Sequence, residues 1–253
     1  MNKNLLFLFL CLFTGNLAIN AQVKKLLTEI NSIQTKNVIT FKYNDKNQLI
    51  YFDEKGTVTY REFTLKYDKA SNRLTECFMN RDKGEMIINS KFIYNNEDYI
   101  TEEAKNSGRQ LRKTTEYNKI YIDANNRLTK TMFEDGKLWE EFVYDASNNL
   151  SKYLVHSAFG SSDIETDYKF DTYKTIFSNI ENMPSWFWAL HMNNMKWCGD
   201  FLGQNNAREN ITQDARFGTE SIEITYEYDQ EGYPVKQYYD GELMKEFKYK
   251  IIR

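Results

Sequence analysis

Apolar and polar residues alternate along most of this chain. In "LWEEFVYD" (138–145), Leu138, Glu140, Phe142 and Tyr144 share one side while Trp139, Glu141 and Val143 share the other. In "IEITYEYD" (222–229), Ile222, Ile224, Tyr226 and Tyr228 oppose Glu223, Thr225 and Glu227. A period of two, carried by aromatic and β-branched residues, predicts half-buried strands.

The strands are punctuated by a phrase that recurs as "FKYNDKNQL" (41–49), "LKYDKASNRL" (65–74), "FIYNNEDYI" (92–100), "IYIDANNRL" (120–128), "FVYDASNNL" (142–150) and "YEYDQEGYPV" (227–235 with Tyr226). Its anchors at 43, 67, 94, 122 and 144 are spaced by 22 to 28 residues, room for two strands each; a long gap precedes the last, at 228. Four residues after most anchors stands one that tolerates positive φ: Asn47, Asp98, Asn126, Asn148 and Gly232, with Asn72 one residue late. The Asp or Asn directly after each anchor is placed to close a tight turn through its side chain. A second turn type lies between these corners, in "DEKG" (53–56), "RDKG" (81–84), "NSG" (106–108), "EDG" (134–136) and "YDG" (239–241); Asp-Gly between alternating runs is a strong hairpin signal.

Hairpins in series predict an all-β fold: a long antiparallel up-and-down meander of about ten to thirteen strands, forming one strongly curled sheet, open or nearly closed. One face would carry Phe, Tyr and Leu, the other Lys, Glu and Thr. Two stretches break the pattern. "VKKLLTEINSI" (23–33) has helical spacing and predicts a short N-terminal amphipathic helix. Residues 173–217 read as a non-repeat insertion, partly helical after Pro184, and hold three of the four tryptophans.

Lys3 ahead of the apolar run Leu5–Phe13 reads as a signal peptide over 1–21, leaving 22–253 as a single domain. Removing Lys3 from 33 basic residues leaves 32 against 36 acidic ones, a net charge of 32 − 36 = −4. With basic residues scattered rather than striped, nucleic acid is excluded as a partner. No later apolar run is long enough for a membrane-spanning helix. Export exposes the two remaining cysteines, Cys77 and Cys198, to an oxidising compartment, where they either pair or stay as separate thiols. The residues show no nucleophile elbow, zinc spacing, calcium loop or phosphate loop, so no metal or cofactor is expected.

The candidate binding residues are Trp186, Trp188, His191 and Trp197 in the insertion. Their rings would form either a platform for a ligand or a lid over the apolar face of the sheet.

The corner motif resembles the YD-type repeats of rearrangement-hotspot proteins, and "YEYDQEGY" (226–233) carries that likeness most fully. The chain also resembles secreted Bacteroidetes proteins that join such repeats to a late insertion before a "YxYDxxGYPVK" segment, here 226–236. "EDGKLWEEF" and "DGELMKEF" are similar to MORN-like sheet repeats. These likenesses imply interaction surfaces and no catalytic residue. The expected function is therefore a non-enzymatic exported protein presenting a binding or assembly surface at the cell envelope to a glycan or another protein. The alternative is a hydrolase of envelope or dietary polymers with a carboxylate pair in the sheet's concavity.

Overall fold

The structure, a computed structural model, describes residues 23–57, 59–95, 99–108, 119–156, 163–192 and 199–252. Its first strands are β1 (Lys24–Ser32), β2 (Asn37–Tyr43), β3 (Leu49–Lys55), β4 (Tyr60–Tyr67), β5 (Leu74–Arg81), β6 (Met86–Asn95), β7 (Tyr99–Gly108) and β8 (Lys119–Ile122). They continue as β9 (Leu128–Met132), β10 (Leu138–Tyr144), β11 (Leu150–Val155), β12 (Ile164–Phe170), β13 (Ala207–Asp214), β14 (Gly218–Tyr228), β15 (Pro234–Tyr239) and β16 (Glu242–Ile252). Each strand pairs antiparallel with its sequence neighbours, and β1 pairs with β16 from Lys24 opposite Ile252 to Ser32 opposite Lys245. The sheet is a closed barrel.

Several expectations change. The curled sheet, expected to be open or nearly closed, closes fully, and sixteen strands stand among the described residues, more than the ten to thirteen expected. Within 23–33, Lys24–Ser32 is strand and no residue is helix. A bulge between Leu27 and Glu29 puts an extra residue into β1, so Leu27 and Ile30, three apart, are both buried as on a helix face. "NSG" is no turn: Asn106, Ser107 and Gly108 pair with Ile88, Ile87 and Met86 inside β7. The non-strand insertion spans 171–206, and 207–214, expected within it, is β13.

The corners form as the residues dictate. Asn44 accepts from the N–H groups of Lys46 and Gln48, both at 3.0 Å; Asp145 accepts from Ser147 and Asn149 at 2.8 and 2.9 Å; Asp229 accepts from Glu231 and Tyr233 at 3.0 and 2.9 Å. Asn47, Asn72, Asn126, Asn148 and Gly232 all have positive φ; Asp98 lies outside the described residues. Tyrosine anchors tie one hairpin to the one before: Tyr67 donates to the Leu49 carbonyl at 2.8 Å, and Tyr43 reaches that of Leu27 at 2.5 Å. Because strands run alternately up and down, all corners lie at one end of the barrel, with the start of β1 and the end of β16. The glycine turns lie at the other.

Alternation decides the two faces. Outward rows cross the strands as charged ladders, with Lys66, Glu76, Lys91 and Glu103 adjacent on β4 to β7. Ion pairs join Lys66 to Glu76 at 2.8 Å, Lys169 to Glu209 at 2.6 Å, Lys236 to Glu227 at 3.0 Å and Lys248 to Glu29 at 2.7 Å. Inward rows are aromatic and aliphatic, Phe41, Phe52 and Phe63 lying side by side on β2, β3 and β4. Barrels of roughly 16 to 18 strands are too wide for wall side chains to fill. Here the insertion enters from the corner end and packs inside. Its helix α1 (Ser185–Met192) sets Trp188 against Phe41, Phe52 and Phe177 at centroid distances of 5.5, 4.9 and 5.2 Å, and Trp186 against Phe92 at 5.0 Å.

The plug is latched to the corners. The Asn149 side chain accepts the N–H groups of Gln204 and Asn205 at 2.8 and 2.9 Å. Asn179 donates to the Lys25 carbonyl at 2.9 Å and to the Tyr233 hydroxyl at 2.6 Å, and the N–H of Glu181 donates to the Asn47 carbonyl at 3.1 Å. Gly199 passes so close to β12 that a Cβ there would stand 2.5 Å from the Tyr168 ring.

Candidate functional site

The plug leaves a cavity of about 290 Å³ between itself and the glycine-turn end, beneath β1 to β4 and β14 to β16. Ile30, Ile39, Ile176, Phe247 and Trp188 supply apolar wall. The polar part centres on Asp200, in the short helix α2 (Gly199–Leu202). Its Oδ2 accepts from Lys245 Nζ at 3.2 Å, the Tyr239 hydroxyl at 3.3 Å and Gln237 Nε2 at 3.4 Å. Lys245 also donates to the Tyr239 hydroxyl at 3.1 Å, and Gln237 Nε2 to the Tyr226 hydroxyl at 2.9 Å. On the opposite wall Glu54 takes Arg61 Nε at 2.7 Å and Asn37 Nδ2 at 2.8 Å. The plug and both ends of the chain thus meet at one point.

Two acceptors in this cluster are buried without a hydrogen-bond partner, Asp200 Oδ1 and Gln237 Oε1. Each such group costs about 1–3 kcal/mol in a closed core. Burial works against the charge of Lys245, yet Tyr239 and Asp200 outweigh it and hold the ammonium above its ordinary pKa. Burial and the Asp200 charge push the Tyr226 and Tyr239 hydroxyls upward, so both stay neutral donors at physiological pH.

The residues singled out by sequence take other places. Trp186 and Trp188 are 4% and 1% exposed, so neither presents a platform to solvent. They are the lid of the apolar face, although Trp188 also walls the cavity. An apolar face of this size is more stable against rings than against water. His191 stacks on Phe187 at 4.6 Å and stands 3.5 Å from Glu102. Burial opposes ionisation of Glu102, but His191 and the Ser90 hydroxyl, 2.6 Å away, more than offset it and keep that carboxyl below its ordinary value. Cys77 is a buried free thiol whose pKa burial raises. Trp197 and Cys198 lie outside the described residues. His156 sits on the outside between Glu141 at 2.7 Å and Asp163 at 3.2 Å. Among the described residues no group of three or more His, Cys, Asp or Glu is arranged to hold a metal ion.

Comparison with known proteins adds little. No family model and no curated protein matches the chain. Among solved structures it is similar to a porin-like protein from Bacteroides uniformis, with TM-score 0.47 and 13% identity over 90% of this chain and 95% of that one. A porin-like protein from Bacteroides vulgatus gives TM-score 0.43 and 12% identity over 90% and 99%. Likeness at this level carries no functional information.

The cluster residues were missed because each looks like an ordinary strand residue. A signal was present nonetheless: Lys245 shares the inward parity of Phe247 and Tyr249, Gln237 that of Tyr239, and Glu54 that of Phe52. Polar residues on an apolar face need an internal partner. The same reading finds Glu140, which accepts from Thr131 and Tyr153, both at 2.6 Å. Glu102 and Glu140 stand three strands apart, on the order of 14 Å at the usual strand spacing. A glycosidase pair needs at most about 9.5 Å. A wider cleft of about 580 Å³ lies at the corner end. Its Arg73 and Arg127 are stacked on Tyr94 and Tyr144 at 4.9 and 4.6 Å and serve the corners themselves.

Proposed function

We propose that this chain is an exported, water-soluble binding protein, non-enzymatic, that holds a small ligand in the cavity between plug and barrel wall. The observation carrying this reading is the charged cluster around Asp200, drawn from plug and wall together and facing a space with apolar sides, as small-molecule sites are built. The outer face of the barrel supports solubility. Its outward ladders put Lys and Glu where a spanning barrel needs an apolar band about 25 Å tall. Each lysine placed at the middle of a bilayer would cost about 2–4 kcal/mol. The apolar run Leu5–Phe13 behind Lys3, read from sequence as a leader over 1–21, supports export to the envelope or beyond. Both carboxylates at the cavity are committed to cations, Asp200 to Lys245 and Glu54 to Arg61, which favours binding over hydrolysis.

Two measurements test this. Mature 22–253 mixed with liposomes should stay in the dense fraction on flotation, and should need no detergent for purification. In thermal unfolding against a panel of sugars, nucleosides, amino acids and short fatty acids, a cavity ligand raises Tm, since it binds only the folded state. Met244→Trp, which fills the cavity, should abolish that shift. Flotation with the liposomes, or a panel that leaves wild type and variant indistinguishable, would overturn the reading.

A further inference from the structure

Independently of the cavity, we infer that the hairpin of β13 and β14 is a docking edge for an extended, basic segment of another protein, which adds to it as one more strand. β14 pairs with β13 from Gly218 opposite Asp214 to Glu223 opposite Glu209, but with β15 only from Ile224 onward. Residues 218–222 therefore stand beyond the end of β15, and among the described residues no strand pairs with that side of them. Closure of the barrel leaves this edge open.

The direction of the backbone groups follows from Glu223. Its N–H donates to Asp240 Oδ1 and its carbonyl accepts from the Asp240 N–H, both at 2.9 Å, so both groups point toward the β15 side. Along an antiparallel strand that direction alternates. Ser221 and Thr219, two and four residues back in a register without a bulge, turn their N–H and C=O groups to the same side, where no strand follows. Both residues are exposed. Such an edge is a template for a further strand, and residues 218–223 hold neither the lysine nor the proline that blunts one.

Charge decides what fits. Glu220, Glu223, Asp240 and Glu242 lie on this edge or in the turn beside it, and residues 218–223 and 240–242 contain no basic side chain. Arg216, at the hairpin tip, is paired with Asp214 at 2.9 Å. A second copy of the chain, paired antiparallel over 218–222, would set Glu220 against Glu220, a repulsion that selects against it. A strand bearing lysine or arginine puts opposite charge there instead. Glu220 and Ile222 share a face, so the fitting segment carries a basic and an apolar residue two apart. Phe217, beside the edge and 84% exposed, offers it a further apolar contact.

The test is fluorescence anisotropy of mature 22–253, at physiological salt, with three labelled peptides of equal length. One alternates Lys with Val, one alternates Glu with Val, and the third is the lysine peptide with proline in place of valine, which keeps the charge and cannot join a ladder. Only the first should bind the wild-type protein. Ser221→Pro, which removes an N–H from the open side and none from the β13 ladder, should weaken it about tenfold or more. Glu220→Lys should weaken it likewise and raise the affinity for the glutamate peptide. Equal binding of the proline peptide would mean attraction by charge without a strand and would overturn the inference. So would binding that Ser221→Pro leaves unchanged in a variant shown to be folded by near-ultraviolet circular dichroism. Should that variant not fold, the ranking of the three peptides on the wild type decides alone. Concentration-dependent dimerisation in sedimentation velocity that Glu220→Lys or Ser221→Pro abolishes would give the edge to a second copy and overturn the basic partner. No binding by any peptide would overturn the inference and leave the cavity reading untouched.

Discussion

The two ends of the barrel make the same hairpin connection by different means. At the corner end, the turns after Tyr43, Tyr67, Ile122, Tyr144 and Tyr228 are each closed by an Asp or Asn side chain, and two neighbouring turns are cross-linked: Arg127 donates to Asn148 Oδ1 at 2.7 Å while lying over Tyr144. At the other end, glycine does the work. Gly84, Gly136, Gly218 and Gly241 have positive φ, and a Cβ built on any of them would meet nothing within 4 Å. One end is a connected rim that grips the plug; the other closes over the cavity with links of its own, Gln34 to Glu242 at 3.0 Å and Asn37 to Glu54 at 2.8 Å, and none to the plug among those turns. Local turn chemistry thus tells which end holds the plug.

The comparison breaks most sharply through the plug. Trp188→Ala should lower stability in urea unfolding by about 3–5 kcal/mol, the range for deleting a large buried ring. Val143→Ala on the outer face, 47% exposed, should stay within about 0.5 kcal/mol. If the two cost the same, the plug is not core. At the rim, Asp229→Ala removes the acceptor of two turn hydrogen bonds and the partner of Lys25, 2.7 Å away, and should cost about 2–3 kcal/mol.

Acid should act on the rim next. Burial disfavours the charged forms of Asp123 and Asp229, but Arg127 and Lys25, with backbone N–H groups, hold both carboxyls below their ordinary value. Folded pKa values below the unfolded ones mean stability that is full above the ordinary carboxylate pKa of about 3.9 and lost as pH falls through the folded values. Urea midpoints measured downward from neutral pH should hold until about pH 4 and then drop, less steeply in Asp123→Asn with Asp229→Asn. A smaller loss than any at plug or rim belongs to the other end: Gly241→Ala, forced into the left-handed region, should cost about 1 kcal/mol.

The corners were legible because positive φ restricts the choice of residue at Asn47, Asn126, Asn148 and Gly232 so strongly that a single sequence shows it. The bulge in β1 was not, since Leu27 and Ile30 at a spacing of three fit a helix equally well until the partner strand is known. Closure was invisible for the same reason. Nothing local in Lys24 or Ile252 says that they are neighbours. The aromatic character of Trp186 and Trp188 fits lid and platform alike; only burial against Phe41, Phe52 and Phe92 decides. The cavity cluster needed the closed barrel, because Asp200 comes from the plug while Gln237 and Lys245 come from strands reached long afterwards.

That late arrival sets a timetable for assembly. In chain order the plug follows twelve strands and precedes the last four, so in a chain that emerges from its N-terminal side the wall that will hold it is still an open sheet when the plug arrives. Trp188 need not be threaded through a finished mouth; it settles on the phenylalanines of β2 and β3, and β13 to β16 then wrap over it. The last of those strands seals against the first, 220 residues back along the chain from Lys248 to Thr28. Until that seam forms, the apolar wall has an open side. A chain exported unfolded must therefore be kept from aggregating until its final residues have crossed.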